Sequence, residues 1–487
     1  MEAALAFNMV LSGLVEAYAS TVATAFTILV FFYVFFCSFT RNAKLPPGPF
    51  SWPIIGNLHQ LGNLPHRSLQ VLSKKYGPVM YLRLGSFPTV VVSSAEMAKE
   101  FLQTRDLAFA SRPPSAAGKY LTYNYKDVTF VPYGAYIGHA RKLCVTELLS
   151  AKRLESFRFI REEEVSLAMR SIWEKSREGR LAVNIGKAIA SLTSAIVWRI
   201  LVGARYSDDD DGDLVGKEFR DMVLEIAGSI HEVNIGDFIP YIDWLDMQGI
   251  KKRMKKASRS FDGVVQRILE EHVKFKGTQT SKVKDFMDVL LEMAETDTMN
   301  IGEENIKAII LVLSVGGIDT TSTSVEWTMN ELLRNPHVAK KLQQEIESVV
   351  GKNGTVTESD LGSMEYLQCV VKESLRLYPP GPLMFPHEST EVCTVGADGP
   401  ERFMGKDIDI KGREFSMLPF GAGRRGCPGA SMATRSMELM LAHLMHCFDW
   451  SVDGDPSELD MSETMGIALT KKENLFAIPA LKMPNWI

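Results

Sequence analysis

The hydrophobic and polar positions change period several times along the chain. Ala17 to Thr40 carries no charge, and its centre, Thr21 to Phe39, is mostly Val, Ile, Leu and Phe. A helix needs about 20 apolar residues to cross a bilayer core, so this stretch predicts a membrane-spanning helix. Glu2 and Glu16 precede it, and Arg41 and Lys44 follow it. The positive flank belongs on the cytosolic side, which places the rest of the chain there. A cleaved leader would want a basic start and a small-residue cleavage site after the apolar run, and neither is present. Leu45-Pro46-Pro47-Gly48-Pro49 then excludes helix, because proline fixes its own backbone and biases its predecessor toward extended forms. It reads as a stiff spacer.

Beyond the spacer the periods alternate. Val79–Leu84 and Thr89–Ser93 are apolar or alternating around Gly85, as in a hairpin. From about Ala140 the pattern is mainly helical. Ile306–Leu333, Leu361–Leu377 and Ser431–Phe448 are the helix candidates that bear on function. Short extended pieces at Leu469 and Leu475–Ile478 close the chain. The expected fold class is mainly α with small β-sheets. The expected organisation is an anchor over residues 1–40, a proline-rich hinge over 41–52 and a single large domain over 53–487.

Composition narrows this picture only slightly. The net charge of −5 over 487 residues gives no reason to propose a nucleic-acid partner. Six cysteines are scattered without a CxxC pair, which argues against a disulfide framework or a zinc site. Asp208–Asp211 with Asp213 lacks the spacing and terminal Glu of a calcium loop, and reads as a solvated surface loop. With the body in the cytosol, Asn353-Gly354-Thr355 is an unused glycosylation sequon.

Two segments carry chemistry. The first is Phe420-Gly421-Ala422-Gly423-Arg424-Arg425-Gly426-Cys427-Pro428-Gly429. Cys427 precedes a helix start, where the dipole favours a thiolate, and Arg425 is a cationic sequence neighbour. The glycines let backbone approach a flat macrocycle and turn N–H groups toward the sulfur. Cys427 is therefore the candidate ligand of a haem iron, with Phe420, Gly421, Arg425 and Gly429 against the cofactor. A thiolate ligand pushes electron density onto the iron and favours O–O cleavage. The same residues spell GxGxxG, but Pro419 stands where a dinucleotide fold needs a strand, and no alternating βαβ pattern surrounds them.

The second is Gly316-Gly317-Ile318-Asp319-Thr320-Thr321, inside the longest apolar helix candidate. Glycine in a helix interior costs about 1 kcal/mol relative to Ala, so the pair is a packing notch or a functional groove. Gly316 and Thr320 are four residues apart and share one helix face. The Thr320 hydroxyl can bond the carbonyl one turn back. Room for dioxygen then lies beside a hydroxyl that relays protons, with Asp319 recharging it from solvent.

Together these residues resemble the cytochrome P-450 superfamily, in particular its large plant microsomal group. Pro53-Ile54-Ile55-Gly56-Asn57, Lys75-Tyr76-Gly77-Pro78, Glu373-Ser374-Leu375-Arg376 and Pro400-Glu401-Arg402-Phe403 extend the resemblance along nearly the whole chain. It implies haem b and one oxygen atom of O2 inserted into a small hydrophobic substrate, such as a terpenoid or phenolic compound. It also implies electrons from an NADPH-cytochrome P-450 reductase and a single-pass location in the endoplasmic reticulum membrane. By the same resemblance Arg141 and His387 hold haem propionates, and Glu373, Arg376 and Arg402 form a buried triad. The loop after Arg112-Pro113-Pro114, Leu383-Met384-Phe385 and Ile467-Ala468-Leu469 contact substrate. The reductase would dock near Cys427 on a face with Arg424, Arg435 and Lys142. The alternatives are an inactive or haem-deficient member, and a haem isomerase or dehydratase that needs no reductase; the Asp–Thr pair counts against the latter. Two departures stand out. Ile137-Gly138 occupies the place of the family's Trp-Arg, and isoleucine cannot donate a hydrogen bond to a propionate. Roughly thirty family residues, enough for several short strands, are absent between Gly396 and Pro400.

Overall fold

The computed structural model describes residues 2–39, 45–203, 214–275, 283–296, 301–391 and 415–482. The acidic run at 208–213 and the segment around Gly396–Pro400, with Arg402, lie outside the described residues. Contacts divide the chain into two compact units, Met1–Ser94 with Phe238–Ile242, and Ala95–Asp237 with Asp243–Ile487.

The first unit opens with helix α1 (Glu2–Phe39). Its span Gly13–Phe32 is long and apolar enough to cross a membrane and buries none of its surface in the protein. Ile185–Val202 and Glu303–Arg334 also meet the length and composition test but are two-thirds buried, as core helices are. Helix α2 (Pro65–Tyr76) begins on a proline, which suits a first turn whose N–H has no helical acceptor. Strands β1 (Val79–Leu84) and β2 (Phe87–Val92) pair antiparallel from Val79↔Val92 to Leu84↔Phe87, the expected hairpin. The proline stretch is less free than a spacer: Tyr81 donates its backbone N–H to Pro47 O at 2.9 Å. Buried Asn57 donates to Phe50 O at 2.9 Å and accepts from Arg83 N at 2.8 Å, which fixes the turn that Pro53–Asn57 forms.

The second unit is mostly helical. It runs through α3 (Ala95–Lys99), α4 (Ala116–Tyr120), α5 (Ala135–Leu143), α6 (Ala151–Ser156), α7 (Arg158–Lys175), β3 (Val183–Asn184) and α8 (Ile185–Val202). Then come α9 (Leu214–His231), α10 (Ile235–Phe238), whose last residue groups with the first unit, α11 (Ile250–Phe275), α12 (Phe286–Glu295) and α13 (Glu303–Arg334). It ends with α14 (Pro336–Val350), α15 (Glu365–Leu377), α16 (Ala430–Cys447) and strands β4 (Phe448–Ser451), β5 (Glu463–Met465), β6 (Leu469–Lys471) and β7 (Phe476–Leu481). β3, β7 and β4 form one antiparallel sheet, and β5 and β6 a hairpin.

Helix α13 is the axis of this unit. It packs most extensively on α8 and also meets α9, α15 and α16. It is apolar all round over Ala308–Leu311, as a helix enclosed by others must be. Fully buried Trp327 stacks on Tyr378, ring centroids 4.3 Å apart, and donates to Leu469 O at 2.9 Å. The central helix is thereby tied to both α15's exit and the β5–β6 hairpin.

Candidate functional site

The cysteine loop folds as a turn that closes on itself. Gly421 N donates to Leu418 O at 3.1 Å and Cys427 N to Phe420 O at 2.8 Å. Gly423 has φ +65°, and a Cβ there would meet Leu102 O at 2.1 Å, so only glycine fits. Gly429 caps α16, so that the N-terminus of this helix, with the backbone N–H groups of Gly429 and Ala430, lies beside the Cys427 sulfur. The sulfur lies in the wall of a cavity of about 320 Å³. Burial pushes the thiol above its ordinary pKa, and the Gly429 N–H, the charge of Arg141 and the Ala430 N–H oppose that rise. The helix-start donors are as expected, but the cation is not. Arg425 turns away, donating to Ala110 O and Val131 O at 2.6 Å each. Arg141, carried on α5, is the charge acting on the sulfur, and its Nη2 donates to Gly426 O at 2.5 Å. Sequence adjacency pointed to the wrong arginine, because alternate residues of a tight turn need not face the same way.

One end of the cavity gathers positive charge from Arg112, Arg141 and Arg425, with His387 beside them. Arg112 donates to Thr129 O at 3.1 Å, Phe385 O at 2.9 Å and Pro386 O at 2.7 Å. Burial first, then Arg425, pulls Arg112 down to about 9. His387 donates Nδ1–H to Phe109 O at 2.7 Å, and burial, then Arg112, holds it neutral at about 4. Arg425 Nη1 is buried with no hydrogen-bond partner. A buried unpaired guanidinium nitrogen among like charges is costly unless an anion joins it. The donor set therefore fits a flat group carrying carboxylates against these arginines and a metal at the Cys427 sulfur. Arg112 had been read only as the start of a substrate loop; its place between Ser111 and Pro113 gave no sign of a buried cation.

Thr320 lines the same cavity and donates to Gly316 O at 2.7 Å, as the four-residue spacing predicts. A Cβ at Gly316 would meet nothing within 4 Å, so the groove is open. Asp319 does not face solvent freely. Its carboxylate accepts from Ala468 N at 3.2 Å, and burial raises its pKa. Of the three stretches assigned to substrate, Met384, Phe385 and Ile467 reach the cavity, and the loop after Arg112 contributes Thr122, Val128, Thr129 and Phe130.

Glu373 and Arg376 form a two-bonded ion pair, 2.8 and 2.7 Å, with both side chains more than half exposed; their third member Arg402 lies outside the described residues. Ile137 is buried in the core and Gly138 is exposed, with open space where a Cβ would stand. Two of the three surface cations assigned to reductase docking are already in ion pairs, Arg424 with Asp106 at 3.1 Å and Arg435 with Glu155 at 3.6 Å.

The family model described as cytochrome P-450 matches residues 46–397 and 399–478. Among curated proteins, cytochrome P-450 750A1 of Pinus taeda is 49% identical, covering 95% of this chain and 96% of its own length. The strychnine-11-hydroxylase of Strychnos nux-vomica is 42% identical over 89% of this chain and 91% of its own. A flavonoid 3'-monooxygenase of Crocosmia x crocosmiiflora is 37% identical over 91% and 90%.

Proposed function

The chain belongs to the cytochrome P-450 family of monooxygenases, and from that premise we propose that it hydroxylates a small hydrophobic specialised metabolite with electrons from an NADPH-dependent reductase. The observation that carries this reading is one cavity bounded by Cys427, at the start of α16, and by Thr320 bonded across the open Gly316 notch. Related plant enzymes named for strychnine and flavonoid oxidation support a specialised-metabolite substrate.

Haem b would be held through Cys427, with Arg141, Arg425 and His387 toward its carboxylates and Phe420, Gly421 and Gly429 against its plane. When bound it supplies activation of dioxygen and the oxidising power for insertion into an unactivated bond. The chain's own residues do the rest. Gly429 and Ala430 N–H groups stabilise the sulfur as an anion. The Gly316 notch leaves space, and Thr320 holds a proton donor at its edge. Asp319, whose proton affinity burial raises, resupplies Thr320. The apolar lining excludes water. The body sits on the cytosolic face of the endoplasmic reticulum, tethered by α1.

The test is the reduced, CO-treated difference spectrum of the purified full chain and its Cys427→His variant. The parent is expected to give the thiolate-type band and the variant to lose it while keeping some haem. A thiolate-type band in the variant would remove Cys427 from the iron.

A further inference from the structure

The loop from Arg112 to Val131 forms one wall of the cavity, through Thr122, Val128, Thr129 and Phe130. Its middle is unusual. Tyr123, Asn124 and Tyr125 all have positive φ, at +50°, +58° and +66°. Three successive side-chain-bearing residues in the left-handed region are disfavoured and persist only where the surroundings dictate them. Several contacts do so. The Tyr125 ring stacks where a Cβ at Gly118 would come within 2.4 Å, so residue 118 must be glycine. Tyr125 Oη accepts from Ser115 N at 3.1 Å and donates to Ser115 O at 3.0 Å, closing the base of the turn. Asp127 accepts from the backbone N–H groups of Thr129 and Phe130 and so shapes the exit.

The outer link is the informative one. Tyr123 Oη donates to Asp262 Oδ1 on α11 at 2.8 Å. Lys307, buried on α13, donates to the same oxygen at 2.8 Å and also pairs with Glu303 at 2.9 Å. One carboxylate oxygen thus joins the loop, α11 and α13. None of these three side chains lines the cavity, so substrate contact does not explain them. Burial and the bond to Asp262 push the Tyr123 phenol far above its ordinary range, which keeps it a donor.

We propose that Tyr123, Asp262 and Lys307 are positioning residues that hold the left-handed turn, and with it the wall at Thr122 and Val128–Phe130, so that this latch sets which ligand sizes the cavity accepts. A phenol bonded to a carboxylate is among the stronger neutral-to-charged hydrogen bonds. Its loss releases the hydrogen bond that ties the turn's tip to α11. Arg141, Arg425 and His387 in the cavity wall keep their own bonds to Gly426, Ala110 and Phe109. The latch therefore acts on the wall and leaves the iron ligand untouched. The bearing on ligand size rests on the haem-thiolate reading; the bearing on the loop does not.

Two measurements on the full chain separate these. Hydrogen exchange of amides 116–131 needs no haem. It is expected to quicken about tenfold in Tyr123→Phe, the factor corresponding to one lost hydrogen bond to a charged group. Asp262→Ala, which removes the acceptor of Tyr123 and of Lys307 together, should quicken it at least as much, and the double variant should be no faster than Asp262→Ala, because the bond from Tyr123 is already gone there. The second measurement is spectral binding of imidazole and of 4-phenylimidazole to the haem-loaded protein. Tyr123→Phe should shift the affinity for the larger probe severalfold and leave the smaller one unchanged. Unchanged exchange in Tyr123→Phe, or fully additive effects in the double variant, would overturn the latch. Equal shifts for both probes would overturn its role in ligand size. A parent without a thiolate-type CO band would instead overturn the haem reading, while the exchange result still decides the latch.

Discussion

Thr320 depends on the residue one turn before it. With glycine at 316 the helix has no side chain beside the Gly316 carbonyl, and the threonine hydroxyl bonds that oxygen directly at 2.7 Å. This pair was legible in the sequence because four-residue spacing alone places it on one face. The environment of Asp319 was not, because its acceptor contact with Ala468 comes from 149 positions away. Burial raises the Asp319 pKa, so near neutrality more of it holds a proton to pass on. Thr320→Ala is expected to keep NADPH consumption and divert it to peroxide or water, cutting product formed per NADPH by about tenfold or more, within the range of a positioned proton donor. Asp319→Asn should slow turnover and also lower coupling. Product and peroxide assayed against NADPH check both, and unchanged coupling in both variants would remove the relay. The same divide between local and distant information explains the thiol's cation. Arg425 was the neighbour in sequence, but Arg141, on another helix, is the neighbour in space.

At the scale of elements, long buried helices were readable and short exposed ones were not. The expected Ile306–Leu333 helix is Glu303–Arg334, and Ser431–Phe448 is Ala430–Cys447, with Phe448 starting a strand. The expected Leu361–Leu377 helix is split, a short turn at Leu361–Ser363 preceding Glu365–Leu377. Helix α2 was missed because it has no buried residue to mark an apolar face. Glu100–Thr104 and Cys144–Leu148 are wide turns with five-residue bonding, which shift the apolar phase and blur the helices they extend. One tie between elements predicts a pH dependence. His272, near the end of α11, donates Nδ1–H to Ile268 O at 2.8 Å and Nε2–H to Asp285 Oδ2 at 3.1 Å, where Asp285 caps α12. Both nitrogens act as donors only in the imidazolium form. Although burial alone would lower it, the bond and charge of Asp285 raise His272 to about 9. A pKa raised on folding adds stability that is complete below the unfolded value of about 6.5 and lost as pH rises through 9. The parent's unfolding free energy should therefore fall by up to about 3 kcal/mol between those limits. His272→Gln should lack that decline and be the less stable protein at pH 6. Urea unfolding across the range checks the sign, and parallel profiles for the two proteins would exclude His272 as its source.

For the whole molecule, the decisive feature is the break in the family match. The family match is interrupted between 397 and 399, and we propose that roughly thirty family residues, several strands' worth, are missing at this point. Glu373 and Arg376 still pair, but both side chains are more than half exposed, and an exposed pair contributes only about 0–1 kcal/mol. Arg402, which we propose completes a triad with them, lies a few positions beyond the break. On α5, Ile137 packs into the core and offers no donor, and Gly138 adds no cation. The cation-rich end of the cavity compensates in part, since Arg425 Nη1 stands buried and ready for a carboxylate. One lost hydrogen bond to a charged group corresponds to roughly tenfold in affinity. The unmodified chain should accordingly retain less haem and turn over more slowly than its relatives. Four proteins test this: the chain as it is, one with a family-like segment inserted between Gly396 and Pro400, one with Ile137→Trp and Gly138→Arg, and one with both changes. Haem-to-protein ratios after gel filtration should rise with each change. The double restoration should exceed the sum of the single ones, because both act on one cofactor and such effects couple. Gly138 has open space around it and should accept arginine readily. Tryptophan at 137 has to leave the core for the cavity, so the segment insertion is the safer of the two single changes. Full haem occupancy and relative-like turnover in the unmodified chain would show that the remaining arginines suffice to hold the cofactor.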